Sequence, residues 1–295
     1  MNDDQSMTID EYRRFFAEEI RFAGHIQSTA VIEAFARVPR EKFLGAGPWE
    51  IASPEIRALS TAGIQTSYVV IDDPRHLYHN VVVVLDKAGD INNGQPTALA
   101  RWIEAMDLRA GDRAYHLGCG VGYYTAIVAE VVGPHGSVTA VEVNPNLAAR
   151  AQQSLSTYPN VAATAADGAT FDPGECDAML INAGMTHPSP LLLDRLRDGG
   201  RMVVPVTMAT TATLGVGIMA KIIRNGNKFS AQVVTPLGIY SCTSMRDARR
   251  EPLLRTAMTS GALMKVKSVR RDAHEPSDTC VVHGADVCLS SADVA

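Results

Sequence analysis

The run Gly118-Cys119-Gly120-Val121-Gly122 restricts the fold of this chain more than any other stretch. It follows a short β-like segment, Arg113–Leu117, and opens a helical one, Tyr123–Val132. Alternate glycines let the backbone turn tightly and let a ligand approach the main chain. The helix start beyond them offers free N–H groups and the positive end of a dipole. A turn of this kind joins a strand to a helix in a parallel α/β sheet.

The surrounding pattern agrees. Further β-like runs occur at Ser137–Glu142, Val161–Ala165, 178–182 and 202–206, with helical segments at 146–157 and 190–196 between them. Helical stretches between strands imply βαβ crossovers. The pattern then changes: 214–224, Asn225-Gly226 and 228–234 read as a β-hairpin. Asn-Gly suits the turn that needs positive φ at both central residues. The expected architecture is therefore α/β, a Rossmann-like, mostly parallel sheet ending in an antiparallel hairpin. Residues 1–80 are expected to form a helical and loop cap, 81–237 the ligand-binding domain, and 238–295 a C-terminal appendage.

In the cap, Thr8-x-x-Glu11 is a capping box, followed by Tyr12, Phe15, Phe16 and Ile20 at helical spacing. A second helix over 29–37 stops before Pro39. Residues 45–75 hold Gly47-Pro48, Pro54, Gly63 and Asp73-Pro74, which predicts an irregular lid or cap. The appendage reads as a helix over 246–259 with extended runs at 280–283 and 287–289.

The formal charge of −5 argues against a nucleic-acid or membrane partner. The start, Met1-Asn2-Asp3-Asp4, lacks the apolar core of a signal peptide, and no run is long enough to span a bilayer. Cys119, Cys176, Cys242, Cys280 and Cys288 include no CxxC pair. Their spacing matches neither a zinc site nor a disulfide framework, so buried free thiols, no metal and a cytoplasmic location are expected.

Three elements at successive strand ends converge on one crevice. The first is the glycine loop, where Tyr123 stands in place of the third glycine of a nicotinamide-cofactor motif. Glu142, 20 residues after Gly122, can accept hydrogen bonds from ribose hydroxyls. Asp167-Gly168 can receive an adenine amine, although Asp-Gly is also an ordinary turn. Together with the terminal hairpin they point to S-adenosylmethionine (SAM). The predicted cofactor residues are Gln95, His116, Gly118, Cys119, Gly120, Gly122, Tyr123, Glu142, Val143, Asp167, Gly168 and Asn182.

The chain resembles the protein-L-isoaspartate O-methyltransferase family over about residues 30–237. The resemblance lies in Ala34-Phe35-x-x-Val38-Pro39-Arg40-Glu41-x-Phe43, in Gly118 to Ala129, and in Asn160-Val161, Asp167-Gly168 and Cys176-Asp177-Ala178. It continues in Leu196-x-x-Gly199-Gly200-x-x-Val203-x-Pro205. The resemblance implies a SAM-dependent methyltransferase. Two positions depart from the family pattern. Asn92-Asn93-Gly94-Gln95-Pro96 carries Gly94 where the family has a reaction-centre serine, and His116 replaces an acidic residue.

These departures favour an O-methyltransferase with a small-molecule acceptor, such as a carboxylate. Isoaspartyl peptide repair, a non-catalytic SAM- or S-adenosylhomocysteine-binding module, and an NAD-dependent oxidoreductase are the alternatives. A carboxylate acceptor needs no general base, whereas a hydroxyl or amine often does. Asn93, His79 and Tyr78 are the catalytic candidates. Asn92 and Gln95 can hold an acceptor, and His76 is a further candidate base. His187 can face substrate, and Trp49 and Trp102 are read as packing residues.

Overall fold

A computed structural model describes residues 7–53, 55, 68–86 and 91–294. Residues 1–4, Pro54 and Gly63, named above, lie outside the described residues. The capping box at Thr8 forms and starts α1 (Ile9–Gly24), which buries Phe16, Ala17 and Ile20. Phe15, at the same spacing, instead faces solvent. Helix α2 (Thr29–Arg37) buries Val31, Ile32, Ala34 and Phe35, and Phe35 meets Phe16 edge to face at 6.0 Å. A single turn, α3 (Glu41–Leu44), follows.

Part of the segment expected to be irregular belongs to a small antiparallel sheet of order β2-β1-β3-β4. Its strands are β1 (Trp49–Ala52), β2 (Val69–Ile71), β3 (Val82–Asp86) and β4 (Ile91–Asn92). Strands of two to five residues are too short for alternation to stand out in sequence.

Helix α4 (Pro96–Ala105) leads into the central sheet. Strands β5 (Arg113–Leu117), β6 (Ser137–Glu142), β7 (Val161–Ala165), β8 (Cys176–Ile181) and β9 (Leu196–Ala209) lie parallel in the order β7-β6-β5-β8-β9. Helices α5 (Tyr123–Val132), α6 (Pro145–Ser154) and α7 (Pro190–Arg195) lie between them in sequence. The expected hairpin is present as β10 (Leu214–Asn225) and β11 (Lys228–Tyr240), with β10 paired antiparallel to both β9 and β11.

Alternation of side chains divides the core into two faces. Ala178 and Leu180 join the apolar cluster of α1, α2, α4 and α5, while Met179 and Ile181 join the cluster on the opposite face. That second face is covered by α7, by α8 (Glu251–Thr259) and by the C-terminal segment. Helix α8 begins later than its sequence suggests, with Pro252 in its first turn. Beyond it, β12 (Ser268–Arg270), β13 (Cys280–Val282) and β14 (Cys288–Ser290) extend the sheet in the order β11-β12-β14-β13. No described helix is long and apolar enough to cross a membrane.

Candidate functional site

Strand order reverses at β5, with β6 on one side and β8 on the other. A crevice opens where chains leave such a switch point in opposite directions. Here it holds a cavity of about 350 Å³. The glycine loop, the ends of β6, β7 and β8, Asn92 and Asn93 line it, and Tyr240, Ser241, Cys242 and Ser244 close it.

The loop needs its glycines. At Gly122 φ is +90°, and an added Cβ would meet Leu155 Cδ1 at 2.7 Å, blocking the seat of α5 against α6. Glu142 is 9% exposed; one carboxylate oxygen accepts from Gly120 N–H at 2.9 Å and the other from Asn144 N–H at 3.0 Å. The carboxylate is thereby held at the cavity wall. Val143 beside it is 68% exposed, an apolar face presented to the cavity. Asp167 Oδ1 accepts from Ala169 N–H at 2.9 Å and from the Ser244 hydroxyl at 2.6 Å. Asn93 Oδ1 accepts from Val83 N–H at 2.9 Å, while its buried Nδ2 has no hydrogen-bond partner. A buried donor without a partner is costly, and this one belongs to a cavity-lining residue.

A second cavity of about 450 Å³ adjoins the first and shares Asn92, Asn182 and Tyr240 with it. Asn92 Nδ2 donates to the Tyr240 hydroxyl at 2.9 Å, so this pair stands where the two spaces meet. Gln95, Thr97, Arg101 and Trp102 line the second space. Among the described linings of both, Arg101 is the one cation, and no histidine or lysine is present.

Of the predicted residues, Gly118, Cys119, Gly120, Tyr123, Glu142, Val143, Asp167, Gly168, Asn182 and Asn93 come together around the first cavity. Gln95 lines only the second, its amide donating to Thr97 Oγ1 at 2.9 Å. Gly122 lies just behind the wall as the N-terminal cap of α5. His116 is fully buried on β5, with Nδ1 2.8 Å from Thr125 Oγ1, and burial pushes its pKa down to about 3. It ties β5 to α5 as a neutral ring and lines neither cavity.

Tyr78 and His79 also line neither cavity. The Tyr78 hydroxyl donates to Glu41 and accepts from Arg40 N–H at 3.1 Å. Burial, with the hydrogen bond to Glu41, raises its pKa above that of an ordinary phenol. The buried Arg40 guanidinium donates to the carbonyls of Leu77, of His79 at 3.0 Å and of Val81 at 2.7 Å. The Val-Pro-Arg-Glu segment is thus a latch on the chain that enters β3. His76 sits in the 3₁₀ turn Pro74–Leu77 before it. His187 is 3.0 Å from Thr186 Oγ1 and 3.9 Å from Asp286, away from both linings, and burial lowers its pKa. Trp102 packs with Nε1 donating to Thr235 at 3.1 Å, and Trp49 is buried.

Tyr240, Ser241, Cys242 and Ser244 were not foreseen as a wall. Strand β11 runs to Tyr240, beyond the expected limit of 237. The chain after it is held against the end of β8, since Gly184 N–H donates to Tyr240 O at 2.7 Å and Cys242 N–H to Gly184 O at 2.8 Å.

The family model for Protein-L-isoaspartate(D-aspartate) O-methyltransferase (PCMT) matches residues 66–216. A protein-L-isoaspartate O-methyltransferase of Ignicoccus hospitalis is 28% identical over 233 residues, which span 78% of this chain and 96% of that protein. Protein-L-isoaspartate O-methyltransferase 1 of Archaeoglobus fulgidus is 35% identical over 149 residues, 46% of this chain and 69% of its own. A Plasmodium falciparum candidate of the same type, solved with S-adenosyl-L-homocysteine, superposes with a TM-score of 0.57 at 17% identity. That match covers 79% of this chain and 98% of the other, a likeness of fold.

Proposed function

The chain belongs to the protein-L-isoaspartate(D-aspartate) O-methyltransferase family and is a SAM-dependent methyltransferase; on that premise we propose that its acceptor is the carboxylate of isoaspartyl residues in proteins. The small-molecule acceptor expected from the loss of the serine gains no support from these relatives, whose names specify protein isoaspartate.

The observation that carries the reading is the second cavity. It adjoins the first and has no histidine or lysine among its described lining residues. An acceptor there has no strong base to deprotonate it, so one already ionised at neutral pH fits best. Arg101 supplies a positive charge to such an acceptor.

The first cavity suits the donor. Glu142 would accept from ribose hydroxyls, the Asp167 carboxylate from the adenine amine, and Val143 would cover an aromatic face. The unpartnered Asn93 Nδ2 would gain an acceptor. When bound, SAM supplies an electrophilic methyl group on a sulfonium that departs as a neutral thioether. The residues of this chain align the acceptor and exclude water, and Asn92 and Tyr240 are the polar groups at the junction.

The test is methyl transfer from labelled SAM to an isoaspartyl peptide, with the matching aspartyl peptide and a panel of small carboxylic acids alongside. Label confined to the isoaspartyl peptide is expected. Label only in a small acid would return the acceptor to that class.

A further inference from the structure

Outside the crevice, the C-terminal strands gather His274, Cys280, His283 and Cys288, with one ligand atom from each within 4.8 Å of all the others. We propose that these four residues form a structural zinc site that pins the C-terminal segment to the edge of the sheet. None of them lines either cavity, so the site is separate from methyl transfer.

Sheet register brings the donors together. Cys280 pairs with Ser290 across β13 and β14. Residues two apart share a face of a strand, so Cys288 lies on the same face as Cys280. The loop after β12 supplies His274, and His283 follows β13. The two imidazoles meet edge to face, with ring centres 5.0 Å apart.

Three details favour a metal over four side chains that merely pack. His274 Nδ1 lies 2.8 Å from the Asp272 carbonyl, and Nε2 lies 3.5 Å from Cys280 Sγ. Metal-binding histidines are usually oriented in this way, donating one ring N–H to a carbonyl and turning the other nitrogen to the ion. His283 Nδ1 is buried without a hydrogen-bond partner. The Cys280 sulfur accepts from Ser277 N–H at 3.4 Å, a contact that suits a thiolate. Around tetrahedral zinc, donor atoms are roughly 3.3–3.8 Å apart, so the cluster needs only a small contraction.

Two sulfurs and two nitrogens select zinc over calcium or magnesium, which take oxygen. Four protein ligands leave no open position, which marks the site as structural. Binding would release the two thiol protons as both sulfurs bind as thiolates. This reading departs from the expectation of no metal; all five cysteines are free thiols, but Cys242 and Cys280 are only partly buried, and Cys280 has histidine and cysteine neighbours that lie apart in sequence.

The experiment is metal analysis of the full chain, purified reduced and without chelator, together with cobalt exchange. One zinc per chain is expected, with thiolate-to-cobalt charge-transfer and tetrahedral ligand-field bands after exchange. Zinc should fall to near zero in Cys288→Ser and in His283→Ala. Because those variants can fail to fold, the cobalt spectrum of the parent is decisive by itself. The proposal is overturned if the reduced parent takes up neither zinc nor cobalt, or if cobalt binds without sulfur bands. It is equally overturned if Cys280 and Cys288 prove to be joined as a disulfide in the freshly purified chain.

Discussion

The two ends of the central sheet are held by different means. In the parallel end, β8 buries Ala178, Met179, Leu180 and Ile181 completely, and helices or C-terminal elements cover both faces. The antiparallel end finishes in β12, β13 and β14, three residues each. These strands are short, and although Val269, Val282, Val287 and Leu289 are buried in the second apolar cluster, polar contacts add to the hold. Arg250, 4% exposed, donates to the Val287 carbonyl at 2.6 Å and pairs with Asp286, and the His-Cys cluster lies beside it. Apolar burial in the parallel end is spread over many residues, whereas the edge strands also depend on a few directed contacts.

The largest test of this contrast is Leu180→Ala, which opens a void in the parallel end. Stability in urea should fall by about 2–5 kcal/mol, by the same amount with or without a chelator. A chelator-dependent loss would mean that the two ends unfold as one unit.

Glu142→Ala removes a polar group from the cavity wall while leaving the apolar core intact. Calorimetry should give SAM binding weakened about a hundredfold, equivalent to about 2.7 kcal/mol, with a modest fall in melting temperature without ligand, because the Gly120 and Asn144 N–H groups lose their acceptor. Unchanged affinity would displace the donor from this cavity.

His116 tests the parallel end through pH. Its folded pKa of about 3 lies below the ordinary value of 6.5. The unfolded chain therefore takes up a proton that the folded chain refuses, and stability falls as pH drops from about 6.5 towards 3. Between pH 7 and pH 5 this group should account for a loss of about 2 kcal/mol. Urea titrations of the parent and of His116→Asn at both pH values isolate that contribution, and equal slopes would refute it.

The smallest expected effect is that of Gly94→Ser, which writes the family serine back in. Gly94 has φ of +79°, and a Cβ would lie 2.9 Å from Leu99 Cδ2. A stability loss of about 1–2 kcal/mol is expected, with no gain in methyl transfer. A clear gain would show that the loop relaxes to place the hydroxyl.

The same contrast sets what could be read beforehand. The parallel strands, the glycine loop and the placement of Glu142 and Asp167 at strand ends around one crevice were legible because hydrophobic period and strand-end position follow local sequence. The hairpin was marked by Asn225-Gly226. Tyr78 and His79 line neither cavity, and sequence could not tell this, since a polar cluster before a strand looks the same whether it meets substrate or, as here, Arg40 and Glu41. Tyr240 and Ser244 gave no sign, since nothing in β11 announces that its end turns over the crevice. The His-Cys cluster matched no familiar spacing because register across three strands, not distance along the chain, sets its geometry.

The walls of the first cavity come from residues as far apart as Asn92 and Ser244. A nascent chain that has extruded only the glycine loop and β6 has half a site, and the pocket closes only when the segment after β11 arrives. A ligand that fills it ties together stretches separated by about 150 residues, which an unfolded chain holds only at high entropic cost. At a hundred times its dissociation constant such a ligand adds about 2.7 kcal/mol against unfolding. With the methyl donor in this cavity, as proposed, donor supply and survival against proteolysis would be linked.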